Sequence, residues 1–445
     1  MQIELIKINL WNVFKVALPL MISALSSHFM LILDQLILAR YSFDAMTGAS
    51  SASVWCGTIQ YAAMSITMIA GAFVGNYNGA KKFKSAAIPV WQMIWFSLSL
   101  FLVSIPISLF AADTCIPKAL HYEGVPYFKI LMFMTPICGI YYSLSSFFVA
   151  IGKGFWITFS TIIANVINFI VDIILVFGLF GFDSFKGAEG AAIGTVIANL
   201  TNTGILFFLF LRKNVREKYD TLNFKLRIKK LKEYLHMGFV GGIGHIFEMF
   251  AWSIVYYLLA SLGKEIALIQ SIAVSVNLFI AFIVSGLEKG IMAVTSNLLG
   301  AGLQSQIQTL LRKGFLIHFL FASIFAVIVC FFPELILNNF IKFQVSEELI
   351  ARAILVLKLV LIYFFVDGMV WVVAGVIEAG GDINYTMITI ASCLWTIVTI
   401  PSYILYKLNM LQIEITWLLL FTAVVSIFLL LYHRYRSNKW IHIKV

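Results

Sequence analysis

The sequence predicts an all-α membrane protein with twelve transmembrane helices in two parallel six-helix repeats. Of its 445 residues, 61% are hydrophobic and only 12% are charged, and the mean hydropathy is +0.96. These values lie well outside the range of soluble proteins. Twelve apolar stretches each approach the roughly 20 residues that a membrane span needs. A weak internal repeat, with an offset of 221 residues, relates the two halves.

The predicted spans leave little polar sequence for a soluble domain. The one long polar connection divides the chain into 1–211, a basic linker at 212–234, and 235–445. There is no room for a separate catalytic domain and no GxxxxGK[ST] phosphate loop, so we expect neither an enzyme nor an ATP-driven pump. The spans are centred near Ser26, Tyr61, Leu98, Gly139, Phe169, Ala198, Ala251, Ala281, Phe321, Tyr363, Leu394 and Phe421.

The distribution of basic residues predicts the orientation. If the N-terminus is cytoplasmic, 21 of the 31 Lys and Arg residues fall on the cytoplasmic side. The positive-inside rule therefore predicts a multi-pass membrane protein with both termini in the cytoplasm. A short basic linker beside membrane helices is typical of contact with lipid headgroups, so we expect membrane lipid and no nucleic acid as a partner.

The internal repeat links the ends of the second and eighth spans. The string GAFVGNYNGAKKFKSA follows the second span and VTSNLLGAGLQSQIQTLLRKG follows the eighth. At the constant offset, Asn76 aligns with Asn297 and Gly79 with Gly300. Because six spans is an even number, both halves enter the membrane in the same orientation. The repeat is therefore parallel, about an axis along the membrane normal.

The first span contains a proline and a membrane-depth acid. Pro19 removes one helical hydrogen bond and is expected to bend the helix. Asp34 is either a functional acid or the partner of Arg40, six residues later. His28 is interpreted as a core histidine rather than a ligand.

The fifth span, TIIANVINFIVDIILVFG, carries polar side chains inside an apolar run. Asn168 and Asp172 are four residues apart and share a helix face, with Asn165 one turn earlier. A carboxylate at this depth is costly and seldom faces lipid, which indicates an inward-facing ion or proton site. The alternative is a hydrogen-bonded contact between helices, because Asn and Asp also join membrane helices.

The sixth span presents a second polar face. Thr195, Asn199 and Asn202 follow each other at four- and three-residue spacing. This face could meet the polar face of the fifth span.

The C-terminal half has its own membrane-depth acids. Glu248 lies in a glycine-rich seventh span, three residues after His245, and Tyr363 and Asp367 share a face of the tenth span. These groups either build one shared site or are each satisfied by a neighbouring polar group. Two nearby carboxylates would hold a proton more tightly than either alone.

The eighth span contains an adjacent pair of opposite charge, Glu288 and Lys289. Adjacent residues do not face each other on a helix. We therefore expect each side chain to have its own partner or to reach the membrane surface, in a structural role.

Taken in this order, the features resemble the multidrug and toxic compound extrusion (MATE) transporters, most closely the bacterial NorM-type branch. The resemblance covers essentially the whole chain. It rests on Pro19 and Asp34 in the first span, VGNYNGAKK after the second, Asn168-x3-Asp172, GAEGAAIGT before the sixth, Glu248, and Tyr363-x3-Asp367.

The resemblance implies a bilobed, V-shaped bundle that exports amphiphilic, often cationic, organic compounds in exchange for Na⁺ or H⁺. It implies no catalytic residue and no cofactor apart from the coupling ion, and we expect a monomer. By motif, the N-lobe cation site would comprise Asp34, Asn168, Asp172 and Thr195, of which the first three could bind Na⁺. Its C-lobe counterpart, for cation or substrate, would comprise Glu248, Tyr363 and Asp367.

The chemistry of these residues agrees with that expectation, and other classes remain open. Carboxylate, amide and hydroxyl oxygens suit a hard cation. The main alternative is a flippase for lipids or lipid-linked oligosaccharides, which would favour basic residues for phosphate. Acids dominate among the membrane-depth charges here, which favours a cationic cargo. A channel is the third alternative, and acids in both halves favour a gated carrier instead.

Overall fold

The computed structural model describes residues 8–340 and 346–443, and the secondary structure within these ranges is helical. Twelve elements are long enough to cross a membrane, and we number them α1 to α12. They are α1 Leu10–Tyr41, α2 Phe43–Gly79, α3 Ala87–Ser99 with Phe101–Phe110, α4 His121–Phe133 with Thr135–Ala150, α5 Phe155–Val176, α6 Ala188–Leu211, α7 Ile228–Ala260, α8 Lys264–Gly300, α9 Ile307–Phe331, α10 Glu347–Ala379, α11 Ile383–Cys393 with Leu394–Thr399 and Ile400–Lys407, and α12 Ile413–Arg436.

The predicted number of spans is confirmed for the described part of the chain. Eleven helices are long and apolar enough to cross a membrane on their own, and α4 supplies the twelfth as two segments bent by 45°. The bend falls at Met134, just before Pro136 in the first turn of the second segment. Proline has no N–H to continue the hydrogen bonds of the preceding turn, which accounts for the break.

Several helices begin at a side-chain cap. The Asn9 side chain accepts a hydrogen bond from the backbone N–H of Asn12 at 2.8 Å, at the start of α1. The Ser42 hydroxyl accepts a hydrogen bond from the backbone N–H of Ala45 at 3.0 Å, at the start of α2. Each cap satisfies a backbone donor that has no partner within its helix.

The helices form two bundles, which we call the N-lobe (α1–α6) and the C-lobe (α7–α12). In the N-lobe, α5 packs on α1 and α6, and α2 packs on α4. In the C-lobe, α10 packs on α8, α9 and α12, while α7 packs on α11. The lobes meet where α1 contacts α8 and where α2 contacts α7 and α8. This arrangement agrees with the two predicted six-helix halves.

Close contacts between the lobes lie toward one membrane face. We call this face the terminus side, because α1 begins there and α12 ends there. A Cβ on Gly238 of α7 would lie 2.8 Å from the Ile66 carbonyl oxygen of α2. A Cβ on Gly286 of α8 would lie 2.4 Å from the backbone nitrogen of Met21 in α1. Glycine lets these helix backbones approach closely, as in other membrane bundles.

The residues aligned by the internal repeat meet one another at the terminus side. A Cβ on Gly79 would lie 2.0 Å from the Asn297 carbonyl oxygen, and a Cβ on Gly300 would lie 2.0 Å from the Asn76 carbonyl oxygen. Residues at the ends of α2 and α8 therefore make reciprocal contacts, as a two-fold relation between the lobes requires. We call this contact the terminus-side seam.

Side-chain amides form reciprocal hydrogen bonds across the terminus-side seam. Asn76 of the N-lobe donates through Nδ2 to the Ala379 carbonyl of the C-lobe at 3.2 Å. Asn297 of the C-lobe donates through Nδ2 to the Ala150 carbonyl of the N-lobe at 2.7 Å. Each amide thus satisfies the end of a helix in the opposite lobe, which closes this side of the molecule.

The basic linker is fastened to the N-lobe. The indole N–H groups of Trp91 and Trp95 in α3 donate to the carbonyls of Thr221 and Phe224, both at 2.8 Å. Helix α7 begins at Ile228, so the last part of the linker predicted at 212–234 is already helical. A helix at Lys213–Tyr219 covers the first part, so the non-helical stretch, 220–227, is shorter than the polar sequence indicates.

Candidate functional site

Pro19 lies where α1 contacts α5. Helix α1 continues through the proline from Leu10 to Tyr41. The hydroxyl of Thr158 in α5 donates to the Pro19 carbonyl oxygen. The predicted role of Pro19 in bending the helix stays a prediction, and the structure adds that its carbonyl group is held by a neighbouring helix.

A row of polar contacts continues along the two helices. Ser23 donates to Thr161 through its hydroxyl at 3.1 Å, and Asn165 donates through Nδ2 to the Ser26 carbonyl at 3.0 Å. The same Asn165 nitrogen lies 2.8 Å from the Ser26 hydroxyl. Asn165, which was noted as part of a polar face, therefore joins α5 to α1. We call this row the α1/α5 polar seam.

The seam leads to the acid pair of the N-lobe. The carboxyl groups of Asp34 in α1 and Asp172 in α5 lie close enough to interact directly, and the Asn168 amide adjoins Asp172. Asp172 is fully buried and Asn168 is 4% exposed. Three of the four residues predicted for the N-lobe site are thus brought together.

Several polar atoms of this cluster have no hydrogen-bond partner among the described residues. They include both carboxylate oxygens of Asp172, one of Asp34 and the amide nitrogen of Asn168. Like charges in direct contact repel strongly when shielded from water. The pair therefore fits a shared proton or a bound cation.

Thr195 is placed differently from the other three residues. Its hydroxyl donates to the Ala191 carbonyl of its own helix at 3.0 Å. The α6 residue packed against the acid is its neighbour Gly194, where a Cβ would lie 1.8 Å from Asp172 Oδ1 and 3.3 Å from Asn168 Nδ2. The structure thus brings Gly194, which sequence reasoning missed, into the N-lobe site.

In the C-lobe, Asp367 is held by two residues of its own helix. The Tyr363 hydroxyl donates to Asp367 Oδ1 at 3.3 Å, and the Trp371 indole N–H donates to the same oxygen at 3.2 Å. The spacing of four residues on either side aligns the three side chains along one face of α10. Trp371 was not predicted, although it is one turn from Asp367.

Glu248 pairs with the histidine one turn before it. His245 Nδ1 lies 3.0 Å from a Glu248 carboxylate oxygen, and the Glu248 residue is 8% exposed. Glu248 is also close enough to Asp367 and Tyr363 to interact with them electrostatically. The structure therefore shows both arrangements that the sequence left open, a local partner for Glu248 and an electrostatic contact with Asp367.

A cavity of about 260 Å³ lies between the lobes, and most of the charged groups at membrane depth line its wall. Its N-lobe wall comes from α2, including Tyr61 and Met68, and its C-lobe wall from α7, α8, α10 and α11. The charged or titratable residues that line it are His245, Glu288, Lys289, Asp367 and Glu378.

The structure changes the interpretation of three of these residues. Glu288 and Lys289 line the cavity, and neither forms an ion pair with another described residue at hydrogen-bonding distance, whereas the sequence indicated a structural role with separate partners. Glu378, in the last turn of α10, was missed. The sequence did contain a signal for it, an acidic residue inside an apolar span, one residue before the helix ends at Ala379.

No group of three or more His, Cys, Asp or Glu side chains that could hold a metal ion occurs in residues 8–340 and 346–443. The N-lobe cluster instead offers two carboxylates and one amide. The two carboxylates can bind a weakly held monovalent cation or share a proton, while the Asn168 amide nitrogen that faces them can donate a hydrogen bond to Asp172.

Comparison with known proteins agrees with this architecture. The MatE family model matches residues 19–174 and 237–404, which is more than half of the chain. The probable multidrug resistance protein NorM of Thermotoga maritima is 21% identical over 96% of this chain and 92% of its own. The multidrug export protein MepA of Staphylococcus haemolyticus is 25% identical over 81% of this chain and 79% of its own.

Solved structures support the same fold. A crystal structure of a MATE protein in the straight conformation superimposes with a TM-score of 0.80, at 15% identity and with 96% of each chain covered. The eukaryotic MATE transporter AtDTX14 gives a TM-score of 0.78 at 18% identity, with 96% of this chain and 95% of its own covered. The family match and the fold together show that the chain belongs to the MatE family of multidrug transporters, in its bacterial NorM-type branch.

Proposed function

We propose that the protein is a secondary active antiporter of the bacterial cytoplasmic membrane. It exports amphiphilic, cationic organic compounds in exchange for Na⁺ or H⁺ by alternating access. The observation that carries the proposal is the contact between Asp34 and Asp172, enclosed within one lobe and apart from the larger cavity between the lobes. One chain contains both sites, and we expect it to work as a monomer.

The acid pair is suited to the coupling ion. A buried carboxylate, Asp172, beside a half-buried one, Asp34, is stabilised when a proton or a cation lies between them. Asn168 adds an amide to the same cluster, and the close approach of Gly194 leaves space only for something small. A proton can be shared by the two acids, and Na⁺ can bind to carboxylate and amide oxygens.

The larger cavity is suited to the cargo. Its walls combine aromatic and thioether side chains, such as Tyr61, Trp371 and Met68, with carboxylates. Aromatic faces attract organic cations, and Met side chains adapt to differently shaped apolar groups. An apolar cavity with a few polar groups is the usual form of a small-molecule site.

The terminus-side seam supports alternating access. The cavity reaches Glu378 in the last turn of α10, and the next residue, Ala379, accepts the seam hydrogen bond of Asn76. With the termini in the cytoplasm, as the basic residues favour, the seam closes the cavity toward the cytoplasm, as an outward-facing state requires. The ion and the cargo can be exchanged across the membrane if each binds more tightly to a different one of the two conformations. They need not contact one another.

The test is export of a fluorescent organic cation from proteoliposomes under separately imposed Na⁺ and H⁺ gradients. We expect export to depend on one of the two gradients and to be lost when that gradient is dissipated. The same vesicles should not redistribute a fluorescent phospholipid between leaflets. Gradient-independent export, or lipid redistribution, would contradict the proposal and favour the flippase alternative.

A further inference from the structure

We infer that the cavity binds amphoteric cargo, in which Lys289 holds an anionic group while the acids of the larger cavity hold the cationic end. The inference rests on the proposed function, because it specifies the class of compound that the antiporter binds. It adds a subsite for a carboxylate or a similar anion to a cavity otherwise suited to cations.

The first step is the presence of two adjoining cavities. A smaller one, of about 30 Å³, lies between α2, α4 and α8. It shares Met68, Lys289 and Met292 with the larger cavity. A space of this size admits roughly one small polar group, such as a carboxylate or a water molecule. Lys289 therefore stands at the boundary between the two spaces.

The two spaces differ in charge. The smaller cavity is lined by the hydroxyl residues Tyr142 and Ser145 and contains no acid in its wall. The larger cavity contains Glu288, Asp367 and Glu378. A hydroxyl and an ammonium group can both donate to an anion, whereas carboxylates repel one. A compound that spans the boundary would therefore place its anionic group in the smaller cavity.

Glu378 marks the cationic end of the larger cavity. It is 5% exposed, and its Oε1 atom is buried without a hydrogen-bond partner among the residues described. An unsatisfied carboxylate oxygen in a membrane protein is costly, and an ammonium group of the cargo would satisfy it. Glu378 and Asp367 are eleven residues apart on α10, or about 16 Å along the helix axis. The two acids therefore offer a cationic group two separate positions in the larger cavity.

Lys289 is free to serve as the anion-binding group. It forms no ion pair with a carboxylate in the described part of the chain, although Glu288 precedes it directly. Glu288 and Lys289 attract one another electrostatically, but successive residues on a helix point about 100° apart, which leaves Lys289 able to reach the smaller cavity that Glu288 does not line. The competing account is that Lys289 only offsets the nearby acids, in which case an anionic group on the cargo would add nothing to binding.

The experiment compares two probes that differ only in the anionic group, a rhodamine dye with a free carboxylate and the ethyl ester of the same dye. Binding to the purified chain in lipid nanodiscs is followed by quenching of tryptophan fluorescence, to which Trp371 in the cavity wall contributes. We expect Lys289→Met to lower the ratio of acid-dye affinity to ester affinity by about tenfold or more, because a charged hydrogen bond is lost. A ratio within about twofold of the native value would overturn the inference.

Two further variants separate charge from folding. Lys289→Arg keeps the charge and should keep most of the preference for the acid dye. Glu378→Gln removes a group for the cationic end, which both dyes share, so it should weaken both to a similar degree. If Glu378→Gln changes the ratio as strongly as Lys289→Met does, the anion subsite is wrong. If the acid dye binds through Lys289 but neither dye is exported, the inference stands and the proposed export function fails.

Discussion

The acid sites of the two lobes use the same chemical groups in different surroundings. In the N-lobe, Asp34 and Asp172 contact each other inside a bundle of α1, α5 and α6, with Gly194 packed against them. In the C-lobe, Asp367 and Glu378 line a cavity that the two lobes share. A carboxylate pair enclosed in one lobe selects a small ion, whereas carboxylates on a shared wall can bind a larger molecule.

The two helices that carry the N-lobe acids are also joined differently from their equivalents in the C-lobe. Hydrogen bonds such as that from Asn165 to Ser26 join α1 to α5. The corresponding helices of the C-lobe, α7 and α11, meet through glycine, and a Cβ on Gly244 would lie 2.7 Å from the Met387 Cβ. The N-lobe contact is a row of side-chain hydrogen bonds, while the C-lobe contact combines close packing at glycine with one hydrogen bond, from the Trp395 indole N–H to the Phe247 carbonyl at 3.0 Å. This difference favours the N-lobe as the place where an ion is taken up.

The largest expected effect is that of Asp172→Asn on gradient-driven export. The substitution removes the charge but keeps the size of the buried group, so the protein should fold and still bind a cationic dye. We expect gradient-driven export to fall by about tenfold to hundredfold, the usual size of a coupling free energy. The measurement is dye export from proteoliposomes, with binding determined in parallel.

The control for Asp172→Asn is Asp113→Asn, which changes an exposed acid of the same lobe between α3 and α4. It should leave export close to the native level. Normal export by Asp172→Asn would show that the Asp34–Asp172 contact is only structural, and the contrast between the lobes would then lose its functional meaning.

A second prediction tests the enclosure of the pair without changing a charge. In Gly194→Ala, the new methyl group would lie 1.8 Å from Asp172 Oδ1, so the carboxylate or the helix must move. We expect a loss of gradient-driven export of about tenfold, because a displacement of about 1 Å in a functional site can cost a hundredfold.

The matched control is Gly204→Ala on the same helix, where an added Cβ meets no atom within 4 Å. It should export normally and be as stable as the native chain or slightly more stable, since alanine favours helix. Equal losses in the two variants would indicate a general effect on α6 rather than on the acid pair.

A third prediction concerns the terminus-side seam, which neither acid site includes. A methyl group added by Gly79→Ala would lie 2.0 Å from the Asn297 carbonyl oxygen, so the closed contact cannot persist unchanged. We expect the population to shift toward states that are open on this side. Spin labels at positions 84 and 304, both exposed and on opposite lobes, should report longer distances than in the unsubstituted chain. An unchanged distance distribution would mean that the seam does not hold the lobes together.

The fold could be predicted from sequence because its main signals are local. Apolar length defines the spans, and the repeat at an offset of 221 identified Asn76 and Asn297 as equivalent residues. The structure adds that equivalent residues of the two halves touch each other. Such a contact depends on the axis that relates the lobes, which no local pattern contains.

The acids of the site were also largely predictable, whereas their neighbours were not. Asp34 and Asp172 were noticed because charge is rare at membrane depth. Gly194 carries no such signal, and its role depends on how closely α5 and α6 approach. Glu378 carried the same signal as the other acids and was overlooked beside a helix end. Lys289 borders both cavities because of how the two lobes pack together, and the sequence does not show that packing.

The smallest expected effect tests the α1/α5 polar seam itself. Asn165→Ala removes two contacts to Ser26, at 3.0 Å to its carbonyl and 2.8 Å to its hydroxyl. Hydrogen bonds between membrane helices contribute about 0.6 kcal/mol each on average, so the free energy of unfolding should fall by roughly 1 kcal/mol. Reversible unfolding in mixed micelles measures this change.

Asn199→Ala on α6 is the comparison, because that amide has no hydrogen bond to any residue in 8–340 or 346–443, and its stability should change by less than about 0.5 kcal/mol. If the two variants are equally stable, the polar row does not join the helices energetically, and the difference between the lobes rests on the acid pair alone.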